Sequence, residues 1–177
     1  MDAESANDIW GWTDSFGKEY AIIGLNNGTA FINISDPVKP VYLGKLPTQT
    51  ISTIWRDIKI YKNFAYIVAD FDPRSTSEED QKHGLQVFDL TKLSGVNGSP
   101  VVFSNDYLYS DFGKAHNLAI NEKTNFLYAI GTDTFKGGIH IVDLADPSVP
   151  VFSQGFSEQG YSHDAQVVTY RGPDTDH

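Results

Sequence analysis

The chain has 177 residues, no cysteine, and 23 acidic against 13 basic residues for a formal charge of −10. Disulfides, thiolate zinc sites and cysteine nucleophiles are therefore excluded, and so strong an acidic balance repels nucleic acid and anionic lipid surfaces. No apolar stretch reaches membrane-spanning length, and "MDAESANDIW" has no apolar core of a secretory signal.

Taken in chain order, the apolar blocks are short and rich in Val, Ile, Tyr, Phe and Thr, the residues that suit a pleated, half-buried surface. "DIWGW" at 8–12 is followed by the turn Asp14-Ser15-Phe16-Gly17, then by "EYAIIGL" at 19–25 and "GTAFINISDPVKPVYLG" at 28–44. The same order returns as "DIKIY" at 57–61, "FAYIVAD" at 64–70 and "GLQVFDLTKLSGVNGSPVVFS" at 84–104. It returns again as "HNLAI" at 116–120, "FLYAIGTD" at 126–133 and "GIHIVDLADPSVPVFSQG" at 138–155. A fourth first block, "HDAQVVTY", begins at 163 and the sequence ends soon after in "RGPDTDH".

Each of the long echoes runs from Gly through an alternating strand, an Asn or Asp, a polar turn, and Pro-Val into another strand. Asp36-Pro37 and Asp146-Pro147 mark the turn in the first and third, and a longer Gly-rich turn replaces them in the second. Each unit is thus four short strands, A to D, in a meander. The units begin at Asp8, Asp57, Asn117 and Asp164, a period of roughly 50 residues, which is the signature of a β-propeller blade. A β-sandwich with internal similarity is the alternative. The expected fold is all-β: a partial β-propeller of about three four-stranded antiparallel blades, over 8–48, 57–108 and 116–158, plus the first strand of a fourth over 163–172. Propellers close with about 4–8 blades. The missing blades are expected from a longer parent chain or from a second copy.

The stretches "AFINISDP", "LQVFDL" and "IHIVDLADP" resemble the LVIVD repeat. Together with "DIWGWTD", "WRDIKIYKNFAYIV", "AHNLAINEKTNFLYAIGT" and "YSHDAQVVTYRGPD", they resemble the propeller region of the choice-of-anchor B family proteins, across nearly the whole chain. That resemblance implies a secreted or surface-attached protein and supplies no activity. The chain departs from the family in showing neither a signal peptide nor an anchor segment.

In an antiparallel meander, the start of strand A, the B–C loop and the end of strand D lie at one end. Strand A lines a propeller's channel, so residues at its start ring the mouth: Asn7-Asp8, Arg56-Asp57, His116-Asn117 and His163-Asp164. Asp8, Asp57, Asn117 and Asp164 occupy one equivalent position. Converging carboxylates and amides suit Ca²⁺, whereas His116 and His163 suit Zn²⁺. The candidate metal ligands are therefore His116, His163, Asp57, Asp164 and Asp8. The candidate ligand-binding set is Arg56, Asp57, His116, Asn117, His163 and Asp164, with Arg56 offering a bidentate grip on an anion. The competing expectation is structural: an Asx residue at a joint between blades bonds turn amides and fixes the next blade.

The insertion "FDPRSTSEEDQKH" at 71–83 is expected to be a solvated loop over the mouth, with Asp72, Glu78, Glu79, Asp80 and His83 as its titratable groups. Trp10, Trp12 and Trp55 are expected to pack between blades. Catalytic signatures such as Gly-x-Ser-x-Gly and His-Glu-x-x-His are missing. His163 and Asp164 are neighbours on a strand and point to opposite faces, so His116 with Asp164 is the more plausible His–Asp pair. The favoured function is a non-catalytic interaction module, with an unnamed protein or small molecule as ligand. The alternative is a metal-dependent hydrolase or oxidase using His116 and His163.

Overall fold

Asx turns recur at the same place in every unit. Asn33, Asp89 and Asp143 end the third strand of their units, and each side chain accepts the N–H two residues on, at 2.7–2.9 Å. Asp36 and Asp146 do the same one turn later, for Val38 and Ser148. Such side-chain acceptors give the backbone a turn in place of a ladder, so the chain reverses where these residues stand.

A computed structural model describes residues 2–75, 77 and 82–173. The described chain is all-β, with three sheets in sequence order, antiparallel throughout except for one short parallel pairing in the first. The first sheet is the meander β1 (Ala6–Thr13), β2 (Glu19–Leu25), β3 (Gly28–Asn33) and β4 (Val41–Pro47). The second sheet contains β5 (Trp55–Tyr61), β6 (Phe64–Asp70), β7 (Leu85–Asp89) and β9 (Tyr107–Tyr109). The third is the meander β10 (Asn117–Asn121), β11 (Phe126–Ile130), β12 (Ile139–Asp143) and β13 (Val151–Phe156). No described helix is long and apolar enough to cross a membrane.

Two cores separate the three sheets. Trp12, Tyr20, Ile22 and Phe31 of the first sheet meet Ile58, Ile67 and Phe88 of the second. Tyr66, Val68, Leu85 and Val87 of the second sheet meet Leu118, Leu127 and Val142 of the third. Each sheet therefore uses alternate residues against one neighbour, and the middle sheet is covered on both faces. This is why "FAYIVAD" reads as a continuous apolar run whereas β12 of the third sheet alternates.

Three expectations are corrected. First, the residues after Ser99-Pro100 do not form the fourth strand of the second unit. β8 (Val101–Val102) runs parallel to β4, pairing Gly44 with Val101 and Lys45 with Val102, and the fourth strand is β9. A 3-10 helix over Leu90–Gly95 buries Leu90 and Leu93 and carries the chain towards the first sheet. Phe103 then seats edge-on against Phe31 and Phe88. Gly44 permits the approach, because a Cβ there would lie 2.0 Å from the Val101 carbonyl oxygen.

Second, residues 163–172 form no strand. A first strand takes its ladder from the second strand of its own unit, and the segment finds only side-chain bonds to β10: Asn117 Nδ2 to Asp164 Oδ1 at 3.0 Å and Asn121 Nδ2 to Thr169 Oγ1 at 3.1 Å. Third, only one of the three tryptophans packs between sheets. Trp12 is 8 % exposed and lies against Tyr20, whereas Trp10 is 41 % and Trp55 52 % exposed.

Candidate functional site

One end of the sheets gathers the residues that the repeat assigns to it. β5 starts at Trp55-Arg56, β6 ends at Asp70, and the register sets Trp55 opposite Asp70 and Arg56 opposite Ala69. His83 and Gly84 precede β7, and both N–H groups donate to the Gly113 carbonyl. His116 precedes β10, with its N–H on the Ile130 carbonyl at the end of β11.

The Asx position proves to be a joint between neighbouring first strands. Asp8 Oδ2 accepts the Ile58 N–H at 2.7 Å, tying β1 to β5. Asp57 Oδ2 accepts the Leu118 N–H at 2.7 Å, tying β5 to β10 in the same way. At the third step Asn117 donates its amide to the Asp164 carboxylate, which also accepts the Ala165 N–H at 2.7 Å. Asn7 adds a parallel tie to the Arg56 carbonyl at 2.9 Å. A strand at the edge of its own sheet has spare N–H groups, and a carboxylate one strand away satisfies one of them.

Asp57 is the most perturbed of these carboxylates. Burial raises it to about 6, against the opposing pull of Lys59, whose Nζ sits 2.9 Å from both carboxylate oxygens. The Asp8 charge pushes it in the same direction as burial. Lys59 also lies over the Trp10 ring, 4.7 Å from its centroid. Together β5, β10 and residues 164–167 border a cleft of about 380 Å³, with Trp10, Asp57, Lys59 and Asn117 on its wall.

Arg56 is not on the surface of this end. It is 2 % exposed, and its guanidinium donates to the Leu25 carbonyl at 2.8 Å, Thr48 Oγ1 at 2.9 Å and His83 Nε2 at 2.9 Å. No described carboxylate pairs with it. Burial lowers Arg56 to about 10. His83 is likewise fully buried rather than part of a solvated loop. Its Nδ1–H donates to the Gly84 carbonyl at 3.0 Å, and its Nε2 lone pair receives Arg56. Burial first, and the neighbouring guanidinium second, lower His83 to about 3, so it is neutral. In the same insertion Asp72 pairs with Arg74 at the surface, and Glu78, Glu79 and Asp80 lie outside the described residues.

His116 and His163 do come together, with ring centroids 4.3 Å apart and planes inclined at 49°. The acid beside His116 is Asp70 rather than Asp164: Oδ2 lies 2.9 Å from His116 Nδ1, and Oδ1 lies 2.7 Å from Lys114 Nζ. Asp70 escaped the sequence reading because it belongs to the preceding unit and ends an apolar run. Among the described residues, no group of three or more His, Asp and Glu side chains is placed to hold a metal ion. His140, also missed, is buried on β12. Its ring nitrogens lie 2.6 Å from Tyr109 Oη and 3.0 Å from Thr134 Oγ1, inside a ring of Phe112, Phe135 and Phe152. Both nitrogens are partnered, so His140 serves the core.

The LVIVD repeat family model matches residues 55–73 and 112–157, which fall on the second and third units. No curated protein and no solved structure matches the chain.

Proposed function

We propose that the chain is part of a β-propeller and works as a non-catalytic interaction module that binds its ligand at the channel mouth. The observation that carries this is the side-by-side placement of β1, β5 and β10, stitched by Asp8 to Ile58 and Asp57 to Leu118. A repeated unit whose first strands join laterally through equivalent residues makes a ring of inner strands, whereas a sandwich packs its sheets face to face without that repeat. The LVIVD match supports a repeat-built domain. The resemblance to choice-of-anchor B proteins supports a secreted or surface-attached parent. Trp55, exposed beside His116 at the mouth, is the kind of amphipathic contact residue that binding surfaces use.

A photo-crosslinking residue placed at Trp55, at the mouth, and at Val38, in the β3–β4 turn at the opposite end, tests the binding surface. On intact source cells, adducts that concentrate at position 55 are expected. Equal labelling at both positions overturns the mouth as the binding surface. A second reading, a metal-dependent hydrolase or oxidase, is favoured by one observation, the adjacency of His116 and His163.

A further inference from the structure

Asp70 ends β6 and His116 stands just before β10, so the pair bridges two units at the mouth. A carboxylate accepts and does not donate, and so the 2.9 Å contact puts the proton of a neutral His116 on Nδ1. Nε2 then carries the lone pair. Lys114 holds the other carboxylate oxygen at 2.7 Å and also donates to the Phe71 carbonyl at 3.1 Å, which fixes Asp70 in place. A carboxylate that orients an imidazole in this way is the usual outer partner of a metal-bound histidine.

His163 supplies the second ring. It is exposed, and no described residue hydrogen-bonds either of its nitrogens. The approach of its segment is built in at Gly131, whose φ is +65°. A Cβ there would stand 2.9 Å from His116 Cβ and 3.1 Å from the Ser162 carbonyl oxygen. The Ser162 N–H donates to the Gly137 carbonyl at 2.9 Å and anchors the approach. Two imidazoles on one zinc ion, each with Zn–N of about 2.0 Å, place their ring centroids roughly 5 Å apart. The observed 4.3 Å with tilted planes is close to that bite.

We propose that His116 and His163 form a two-imidazole site for a borderline divalent ion of the Zn²⁺ type, with Asp70 as its positioning residue. The two-imidazole site rests on the same clustering at the channel mouth as the proposed function. Imidazole selects zinc, copper and nickel, whereas Ca²⁺ needs several oxygen ligands. The carboxylates that would serve Ca²⁺ are engaged: Asp8 by Ile58, Asp57 by Leu118 and Lys59, and Asp164 by Asn117 and Ala165. His163 is exposed, which leaves that side of the pair open to a ligand group brought by a partner.

Zinc chloride titrated calorimetrically into the full chain, in a buffer that does not chelate, tests the site, together with ring-nitrogen NMR of the five histidines. One Zn²⁺ per chain is expected, with the Nε2 signal of His116 and a ring nitrogen of His163 shifting together and no heat from Ca²⁺. His163→Ala, an exposed change that spares the fold, is expected to abolish that stoichiometric binding. Asp70→Asn is expected to weaken it about 10–100-fold and to shift the His116 tautomer signals in the apo protein. Unchanged zinc affinity in His163→Ala overturns the site. So does absence of zinc binding when ring-to-ring contacts between His116 and His163 are seen by NMR, a result that leaves the mouth standing. Absence of those ring contacts overturns both the site and the clustering beneath it.

Discussion

Asp57 Oδ2 accepts the Leu118 N–H at 2.7 Å while Lys59 covers the same carboxylate, so one part-buried side chain holds β5 to β10 and carries the charge cost of doing so. Removing it with Asp57→Ala leaves a part-buried N–H and an ammonium without their acceptor. A loss of about 1–3 kcal/mol is expected, read from urea denaturation at pH 7. Asp57→Asn keeps an acceptor for Leu118 and is expected to cost less.

The same carboxylate sets a pH slope. Its folded value is raised to about 6 from the ordinary 3.8. Between those values the folded state binds the proton and the unfolded state does not, so this group adds stability as pH falls from about 6 towards 3.8. Asp57→Asn removes that contribution. The difference in unfolding free energy between the two proteins is expected to move in favour of the wild type by about 1.4 kcal/mol per pH unit at most across that window. A difference that stays flat from pH 7 to pH 4 contradicts the burial assigned to Asp57.

His83 works in the opposite direction. It is neutral when folded down to about pH 3, whereas the unfolded residue protonates near 6.5. In that window the unfolded state binds more protons, and stability falls as pH falls, again by up to about 1.4 kcal/mol per unit for one proton. His83→Gln offers an amide oxygen to Arg56 and has no proton to gain. It is expected to be less stable than wild type at pH 8, with the gap narrowing or reversing by pH 4. Melting curves at both pH values check it.

Much of the fold was legible because the determinants are local. The Asx residues Asn33, Asp89 and Asp143 bond an N–H two positions away, and the apolar blocks reveal their spacing by composition alone. The gathering of Arg56, His83 and His116 at one end followed from antiparallel connectivity, whereas Asp70, the acid beside His116, did not. What escaped depends on distant partners. Arg56 reads as a surface cation until Leu25, Thr48 and His83, from three other segments, are seen to enclose it. The departure of Val101–Val102 to β4 depends on Gly44, more than fifty residues earlier, having no side chain. Trp10 and Trp55 are exposed because they line two surface clefts instead of a core between sheets, a choice that strand register makes and composition does not.

Gly44→Ala tests the switched strand. Gly44 has φ of +147°, and an added Cβ would meet the Val101 oxygen at 2.0 Å, the Val101 nitrogen at 2.7 Å and Phe103 at 2.9 Å. β8 must then leave β4 and withdraw Phe103 from Phe31 and Phe88. A loss of about 1–3 kcal/mol is expected, with loss of amide protection at Phe103, whose N–H bonds the Lys45 carbonyl at 2.9 Å. Gly11, with nothing within 4 Å of its Cβ position, is the control: Gly11→Ala should leave Phe103 protected.

The two environments of tryptophan give the last test, because they separate packing from binding. Trp12 lies in the first core against Tyr20, and Trp12→Ala is expected to cost about 3–5 kcal/mol. Trp55 is 52 % exposed, its ring makes one aromatic contact among the described residues, tilted against His116 at 6.1 Å, and it borders a second cleft of about 370 Å³ with Asp70 and Lys114. Trp55→Ala should therefore fall within about 0.5 kcal/mol of wild type in thermal or urea unfolding. If Trp55→Ala unfolds as readily as Trp12→Ala, its ring is holding the mouth together instead of presenting a surface. The binding role proposed for that end of the sheets would then lose its aromatic contact.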